Sequence, residues 1–361
     1  MTQHNNTTKA IDDSIQVIGE LDPKTVTYSR VMVIPVTRQC RNQCPYCSFH
    51  RTDNLSVPYS MIKSFKNARA NGARTALFTS GERPDKFSHI RATLNLWGFQ
   101  SLLDYLYTIC ELAFLEGLIP VIELGFLSPS ELKKMSEICA VTQIMLDSVD
   151  NNKFANIYPK SPGKKLDFRI QNLEWAGKLS FPTKTGILVG IGETMSHRKE
   201  LLTTIAQLHK QFGHIQEVSI QNFIPQPGTP FSGNPSPDKR SMNATIEAAL
   251  SILPDDIRIS APAHLNPNSI NDYISLGIRD FGYIPENRLI RFNTKNRLSI
   301  DDISTHLEQQ GFQLQQRFPI GLQSIQNGHY SKKLGQIFDN YKYKIKKHHQ
   351  EKTKDSKILS K

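Results

Sequence analysis

Short apolar runs alternate with amphipathic segments between residues 31 and 285, and this alternation is the dominant pattern of the chain. The runs are short and rich in β-branched residues, which is typical of buried strands. The predicted strands are VMVIPV (31–36), TALFTS (75–80), IPVIELG (119–125), TQIMLDS (142–148), TGILVGI (185–191), EVSIQNF (217–223) and a weaker IRISAP (257–262).

The segments between these runs have the apolar spacing and the end signals of helices. Ser128 and Pro129 stand before Glu131, an arrangement typical of a helix N-terminus. Several stretches end in glycine, which tolerates the left-handed conformation after a helix. These glycines are Gly72, Gly117 and Gly213.

Strands that alternate with helices predict a parallel sheet with right-handed crossovers. Six or seven such units fit an α/β fold with a complete or partial TIM-type (β/α) barrel, and a doubly wound sheet is the alternative. We expect a polar N-terminal extension over 1–29, a barrel domain over 30–300, a helical appendage over 301–330 and a basic, disordered tail over 331–361. In a barrel, functional groups lie on the loops after the strands.

The net charge of +11 is concentrated at the C-terminus. Residues 331–361 hold ten Lys against Asp339, Glu351 and Asp355, so this tail accounts for +7 of the total. The tail has little apolar surface to bury and is expected to be solubilising, with weak binding of acidic partners as the alternative. Since the rest of the chain has no basic excess, we expect no nucleic-acid partner.

The sequence predicts a cytoplasmic protein that does not bind membranes. No stretch reaches the roughly 18 apolar residues of a membrane span, and the polar start MTQHNNTTKAIDDS lacks the layout of a secretion signal. Five cysteines are an odd number for a disulfide framework. Cys110 and Cys139 lie in apolar helical surroundings and are expected to fill the core.

The other three cysteines, Cys40, Cys44 and Cys47, lie within eight positions after the first predicted strand. Zinc with His50 as a fourth ligand and a bare redox cluster are two interpretations. A third is a [4Fe–4S] cluster held by three cysteines, which leaves one iron without a protein ligand. The spacing, with Tyr46 before the last cysteine, resembles the signature of radical S-adenosylmethionine (radical SAM) enzymes.

That resemblance implies a cofactor site at the carboxyl ends of the strands. In FTSGERP, Ser80, Gly81 and Glu82 match the turn that contacts the methionyl ammonium in these enzymes, although the segment alone is consistent with an ordinary turn. Asp147, after the fourth strand, is implied to bind the ribose hydroxyls, with a helix cap as the alternative. Arg169 is implied to pair with the cofactor carboxylate, with a solvated helix arginine as the alternative.

The fifth strand ends in TGILVGIGET, where Gly190 matches the strand beside adenine in radical SAM enzymes. A phosphate loop is excluded here because no Gly-Lys-Ser/Thr follows. After the sixth strand, Gln221 and Asn222 are expected at the mouth of the barrel.

Six segments together resemble the 7,8-didemethyl-8-hydroxy-5-deazariboflavin synthase (FO synthase) family from about residue 30 to 320. They are CRNQCPYCSF, FTSGERP, SPGK, TGILVGIGET, HIQEVSIQNFIPQPGTP and ILPDDIRISAP. The likeness is to the ring-closing subunit. It implies a barrel, one [4Fe–4S] cluster and consumption of S-adenosylmethionine. A 5′-deoxyadenosyl radical would abstract hydrogen from a tyrosine–ribityluracil adduct, and ring closure with ammonia loss would give the deazaflavin.

The resemblance also implies partners: the small-molecule substrate, the tyrosine-coupling subunit of the same pathway, and a reductant such as ferredoxin or flavodoxin. Three alternative functions are also consistent with the cysteine motif. Two are radical SAM enzymes, with the tyrosine-coupling activity or with a menaquinone-pathway substrate. The third is a non-catalytic iron–sulfur or zinc protein that binds RNA through its basic tail.

The chain departs from the family pattern at three places. GLIPVIELG (117–125) stands where GLLPHTNPG is expected, so this loop has lost polar groups. Asp147 replaces a glutamate, and Tyr283 replaces a glycine in GIRDFGYIPENRL (277–289). The cofactor half of the site is therefore better supported than the substrate half. Position alone suggests His214, Asn222 or Tyr283 as a general base, and the sequence does not choose among them.

Overall fold

The computed structural model describes residues 22–49, 52–147, 149, 151–286 and 298–343. Its strands alternate with helices, as the apolar pattern predicts. The strands are β1 (Thr25–Thr37), β2 (Thr75–Ser80), β3 (Ile119–Glu123), β4 (Val141–Gln143), β5 (Thr183–Val189), β6 (Ile215–Asn222), β7 (Arg258–Ser260), β8 (Asp280–Pro285) and β9 (Gln313–Gln316).

These strands form a nearly closed parallel barrel. Hydrogen-bonded neighbours run in the order β7-β6-β5-β4-β3-β2-β1-β8, and β9 pairs with the start of β1. Between β7 and β8, the Ala261 N–H donates to the Asp280 carbonyl at 3.3 Å. The predicted (β/α) barrel is confirmed, and the doubly wound alternative is wrong because the strands follow chain order around a ring.

Helices surround the barrel. They are α1 (Pro58–Ala70), α2 (Ser88–Leu96), α3 (Leu102–Leu115), α4 (Pro129–Ser136), α5 (Asn151–Ile157), α6 (Leu166–Lys178), α7 (Met195–Phe212), α8 (Lys239–Ile252), α9 (Ile270–Ser275), α10 (Ile300–Glu308), α11 (Leu322–Gln326) and α12 (332–343). In the described part of the chain, no helix combines the length and the apolar character needed to cross a membrane.

The predicted helix signals are confirmed by local geometry. The Ser128 hydroxyl accepts from the Glu131 N–H at 3.3 Å, and the Glu131 carboxylate accepts from the Ser128 N–H at 2.8 Å, which forms a reciprocal cap for α4. Gly72, Gly117 and Gly213 have φ of 90°, 84° and 65°, the conformation that favours glycine. Cys110 and Cys139 are buried in the core, as expected.

Strands β8 and β9 were not predicted. Gly282 and Pro285 interrupt the apolar pattern of β8, and β9 is the polar run QLQQ. Both are strands because each hydrogen-bonds along β1. Pairing with a long central strand outweighs local propensity here.

The ends of the chain are more integrated than expected. β1 begins at Thr25, inside the predicted N-terminal extension, and β9 joins the barrel from the predicted appendage. The expectation of disorder is wrong for residues 332–343, which are helical and bury four apolar side chains. These are Leu334, Ile337, Phe338 and Tyr341. Residues 1–21 and 344–361 lie outside the described part of the chain.

A buried ionic network fills the barrel at the N-terminal ends of its strands. Arg317, which follows β9, donates to Glu217 at 2.7 Å and to both Asp280 oxygens at 2.6 and 2.8 Å. Lys184 lies 2.7 Å from Glu217, and the Ser260 hydroxyl donates to the same carboxylate at 2.7 Å. We call these groups the floor of the barrel. They leave the opposite end, where the βα loops lie, as the open one.

Candidate active site

The loops after β1, β2 and β4 converge with the end of β6 on a pocket with about 1000 Å³ of empty space, part of it open to solvent. We call it the outer pocket. Nine of the predicted site residues line it: Cys40, Cys44, Tyr46, Cys47, Ser80, Gly81, Glu82, Asp147 and Arg169. The folding of three separate loops and helix α6 onto one cavity is what brings these distant residues together.

The cysteine loop is held against the loop after β2. The Glu82 N–H donates to Cys40 Sγ at 3.1 Å, and the Cys47 N–H donates to the Cys44 carbonyl at 3.1 Å. Burial raises the pKa of the Cys40 thiol to about 11 and also raises the pKa of Cys44, which Lys164 partly opposes. Binding a metal centre to these sulfurs therefore requires the release of thiol protons.

Close backbone approach explains Gly81. A Cβ on this residue would lie 2.1 Å from the Gln39 carbonyl oxygen and 2.7 Å from the Cys40 Cβ. The sequence predicted that Gly81 lets backbone approach a ligand. The structure shows that it lets the loop after β2 touch the cysteine loop.

A second glycine, Gly163, joins the cysteine loop to the segment before α6. Its N–H donates to the Asn42 side chain at 3.0 Å, and a Cβ there would lie 2.6 Å from the Glu82 carboxylate carbon. SPGK is visible in the sequence only as part of the family resemblance, and Asn42 was not predicted as a site residue. Spacing alone gives no signal that these two segments meet.

Glu82 and Arg169 form a buried pair at the wall of the outer pocket. The Arg169 Nη2 donates to the Glu82 carboxylate at 3.3 Å, and its Nε donates to the Gly163 carbonyl at 2.8 Å. The Phe126 N–H also donates to Glu82, at 3.2 Å. The solvated-helix interpretation of Arg169 is wrong, since only 6% of its surface is exposed.

Asp147 forms an ion pair with a lysine that was not predicted from the sequence. Lys164 Nζ lies 2.9 Å from its carboxylate. The Tyr158 hydroxyl donates to the Asp147 carbonyl at 3.0 Å and lies 3.1 Å from the Tyr46 hydroxyl. This chain ties the aromatic residue of the cysteine motif to the carboxylate predicted to bind ribose.

Gly190, directly after β5, lies outside the pocket lining, and Leu188 of β5 lines the pocket instead. The Gly190 N–H donates to the Glu193 carboxylate at 2.7 Å, and Arg198 Nε donates to the same carboxylate at 2.8 Å. The φ of 101° at Gly190 requires a glycine there. Its proximity to adenine stays a prediction.

The outer pocket fits an iron–sulfur cluster with an adenosyl cofactor. No three His, Cys, Asp or Glu side chains among the described residues are grouped to hold one metal ion, and His50 lies outside those residues. The three thiols that line the cavity, Cys40, Cys44 and Cys47, are the donor set that would hold such a cluster. The Ser80 hydroxyl, buried in the lining, has no hydrogen-bond partner among the described residues and is available to a ligand.

The outer pocket continues into the barrel as an inner pocket. Glu123, Gln143 and Gln221 line both cavities, so we call them the junction. Gln221 was predicted at the mouth of the barrel, whereas Glu123 was not predicted, because its loop was distinguished only by a loss of polar groups. A carboxylate at the last position of β3 was the signal that could have identified it.

The three residues suggested as a general base lie apart from one another. His214 is buried directly before β6, where burial lowers its pKa to about 3. The Asn222 side chain accepts from Asn266 at 2.8 Å. Of the three, Tyr283 alone lines the inner pocket, and neither of the other two lines either cavity.

Comparison with known sequences gives the same family as the motifs. Residues 34–205 match the model of the radical SAM superfamily. A 7,8-didemethyl-8-hydroxy-5-deazariboflavin synthase from Methanococcoides burtonii is 36% identical over 323 residues, which is 88% of this chain and 96% of that protein. The synthase of the same name from Archaeoglobus fulgidus is 39% identical over 266 residues, 72% of this chain and 79% of that protein.

Solved structures share the fold. The FeFe-hydrogenase maturase HydG from Carboxydothermus hydrogenoformans superimposes with a TM-score of 0.65 at 17% identity, covering 86% of this chain and 71% of that one. Methylornithine synthase gives a TM-score of 0.64 at 16% identity and covers 91% of both chains. At these identities the likeness concerns the barrel alone.

Proposed function

The chain belongs to the 7,8-didemethyl-8-hydroxy-5-deazariboflavin synthase family of radical SAM enzymes, and we propose that it closes the deazaflavin ring. Its substrate is the adduct 5-amino-5-(4-hydroxybenzyl)-6-(D-ribitylimino)-5,6-dihydrouracil. Its products are 7,8-didemethyl-8-hydroxy-5-deazariboflavin and ammonia, which makes it a carbon–nitrogen lyase. The observation that carries this proposal is the convergence of Cys40, Cys44 and Cys47 on a pocket that continues into the barrel.

The three cysteines would hold one [4Fe–4S] cluster, and S-adenosylmethionine would occupy the rest of the outer pocket. When bound, these groups supply a 5′-deoxyadenosyl radical through one-electron cleavage of the cofactor. The protein has to bind the cofactor, orient the substrate and exclude water.

The wall of the outer pocket has one acidic and one basic side chain, which would pair with the ammonium and the carboxylate of the cofactor's methionyl part. Glu82 and Arg169 are held 3.3 Å apart, so that a carboxylate and a guanidinium face one ligand. Asp147 would accept hydrogen bonds from the ribose hydroxyls, with Lys164 fixing its orientation at 2.9 Å.

The floor of the barrel excludes water at the N-terminal ends of the strands. Arg317 and Glu217 are 3% and 0% exposed and occupy the N-terminal end of the barrel. The junction would therefore connect a cofactor bound in the outer pocket with a substrate held inside the barrel.

The proposed partners are the tyrosine-coupling subunit, which supplies the adduct, and a ferredoxin or flavodoxin that supplies the electron. A stable complex with the coupling subunit is not required, because the adduct can diffuse between the enzymes. We place the protein in the cytoplasm, where free thiols stay reduced.

The test is anaerobic. The cluster is reconstituted, and dithionite, S-adenosylmethionine and the adduct are added. Deazaflavin fluorescence and 5′-deoxyadenosine are then measured together, and the proposal expects both in near-equal amounts. The matched control omits the adduct.

Deoxyadenosine without fluorescence would favour a second candidate, a radical SAM enzyme with another substrate. Tyr283 and Glu123 favour that candidate, because both departures from the family pattern line the inner pocket. If an intact cluster gives neither product, the non-catalytic interpretation is favoured instead.

A further inference from the structure

We propose that the inner pocket binds the pyrimidinedione ring of the substrate through Thr79, Gln143 and Tyr283. This inference rests on the proposed function, because it names the part of the adduct that each cavity receives. It makes these three side chains specificity-determining residues at the end of β2, the end of β4 and the middle of β8.

Three polar atoms in the lining of the inner pocket have no hydrogen-bond partner among the described residues. They are Thr79 Oγ1, Gln143 Oε1 and the Tyr283 hydroxyl. Thr79 is 1% exposed and Gln143 is 9% exposed, so bulk water does not satisfy them. Native proteins pair almost all buried polar atoms, and a group left unpaired inside a cavity is best explained by a ligand that pairs with it.

Tyr283 is fixed in position, which a residue that reads a ligand requires. Lys184 Nζ lies 3.9 Å from the centroid of its ring. Lys184 is in turn held by Glu217 at 2.7 Å. The barrel floor therefore supports the tyrosine from below and leaves its hydroxyl to the cavity.

The chemistry of the three atoms distinguishes between parts of the adduct. A pyrimidinedione offers N–H donors for the Gln143 carbonyl oxygen and carbonyl acceptors for the two hydroxyls. A hydroxybenzyl group has one polar atom and would leave two of the three unpaired. A ribityl chain has enough hydroxyls but no apolar face, and the remaining walls include Val33, Leu77 and Phe281.

This placement also orients the reacting carbons. In the adduct, the ring carbon that bears the benzyl arm also bears the primary amine. With the ring in the inner pocket, that carbon lies at the junction and the benzyl arm extends toward the outer pocket. The amine on that carbon then lies beside Glu123, whose carboxylate can accept a hydrogen bond from it.

The test measures binding to the cluster-reconstituted, S-adenosylmethionine-loaded enzyme. The probes are 5-amino-6-(D-ribitylamino)uracil, ribitol and 4-methylphenol. We expect only the first to bind and to inhibit competitively against the adduct. Tyr283→Phe and Thr79→Val, which preserve shape, should each weaken its binding about tenfold, as expected for one lost hydrogen bond. The KM for S-adenosylmethionine should not change.

Tyr59→Phe is the matched control, because this tyrosine is 85% exposed on α1 and should leave all constants unchanged. Preferential binding of ribitol or 4-methylphenol, or no binding of the uracil probe, would overturn the assignment. So would variants that bind the uracil probe as the wild type does. Binding needs no turnover, so the two proposals fail separately. If the variants form deazaflavin with the same KM for the adduct as the wild type, this inference fails and the proposed reaction stands. If the variants bind the uracil probe more weakly but the wild type forms no deazaflavin, the proposed reaction fails and this inference stands.

Discussion

The floor of the barrel and the outer pocket are both built from buried charged side chains, but they use their hydrogen-bonding groups differently. In the floor, Arg317 makes three hydrogen bonds to Glu217 and Asp280 between 2.6 and 2.8 Å. In the outer pocket, Arg169 meets Glu82 in one longer hydrogen bond of 3.3 Å. Glu217 is held by two cations and a hydroxyl, whereas Ser80 in the pocket lining has no described partner.

This difference distinguishes charged side chains that stabilise the fold from charged side chains that bind a ligand. A buried ion pair stabilises a fold only when its remaining hydrogen-bonding capacity is also satisfied. The floor meets that condition and needs no ligand. The outer and inner pockets leave polar atoms for a ligand to pair with, so their organisation is completed by binding.

The largest expected effect comes from removing one sulfur from the outer pocket. Cys40→Ala, Cys44→Ala or Cys47→Ala should each abolish S-adenosylmethionine cleavage, because the cluster requires all three ligands. Iron content and 5′-deoxyadenosine are the measurements. Cys110→Ala is the control, since this thiol is buried in the core away from the pocket and should retain both. Substantial deoxyadenosine from any of the three variants would refute the cluster assignment.

The next largest effect is on stability and concerns the floor. Arg317→Met leaves Glu217 and Asp280 without their shared partner and should lower the free energy of unfolding by about 3–5 kcal/mol. Chemical denaturation of the apoprotein measures it. Lys333→Met breaks an exposed pair with Glu111, with both side chains 43% exposed, and should cost less than about 1 kcal/mol. Equal losses in the two variants would contradict the distinction between the regions.

Low pH should also destabilise the floor of the barrel. Burial alone would raise the pKa of Glu217, but Lys184 and Arg317 hold it well below its ordinary value of 4.5. A depressed carboxylate pKa contributes stability that is present above the unfolded-state pKa and is lost as pH falls below it. The melting temperature should therefore fall progressively below about pH 4.5. In Glu217→Gln the same decline should be shallower, and an identical slope would show that the floor does not titrate.

The sequence alone predicted most of the strands and the cofactor half of the site. Apolar runs identified seven strands of the barrel, and the cysteine spacing with FTSGERP identified two of the loops that line the outer pocket. The floor could not be predicted, because Arg317 reaches Glu217 across 100 positions of the chain. Glu123 and Tyr283 were visible as departures from a pattern, but their shared cavity depends on barrel closure. Side chains paired through tertiary contacts leave no periodic signal.

The smallest expected effect tests whether the outer pocket is itself rigid before it binds its cofactor. The Tyr46 and Tyr158 hydroxyls lie 3.1 Å apart, and Tyr158 also donates to the Asp147 carbonyl. Tyr46→Phe removes one hydroxyl and leaves the bond to Asp147, so we expect a loss of about 0.5–1.5 kcal/mol in stability. The KM for S-adenosylmethionine should rise no more than a few-fold. Tyr158→Phe removes both hydrogen bonds and should have the larger effect on that KM. If the two variants are equal, Tyr158 does not position Asp147, and the pocket depends on its ligand for that alignment.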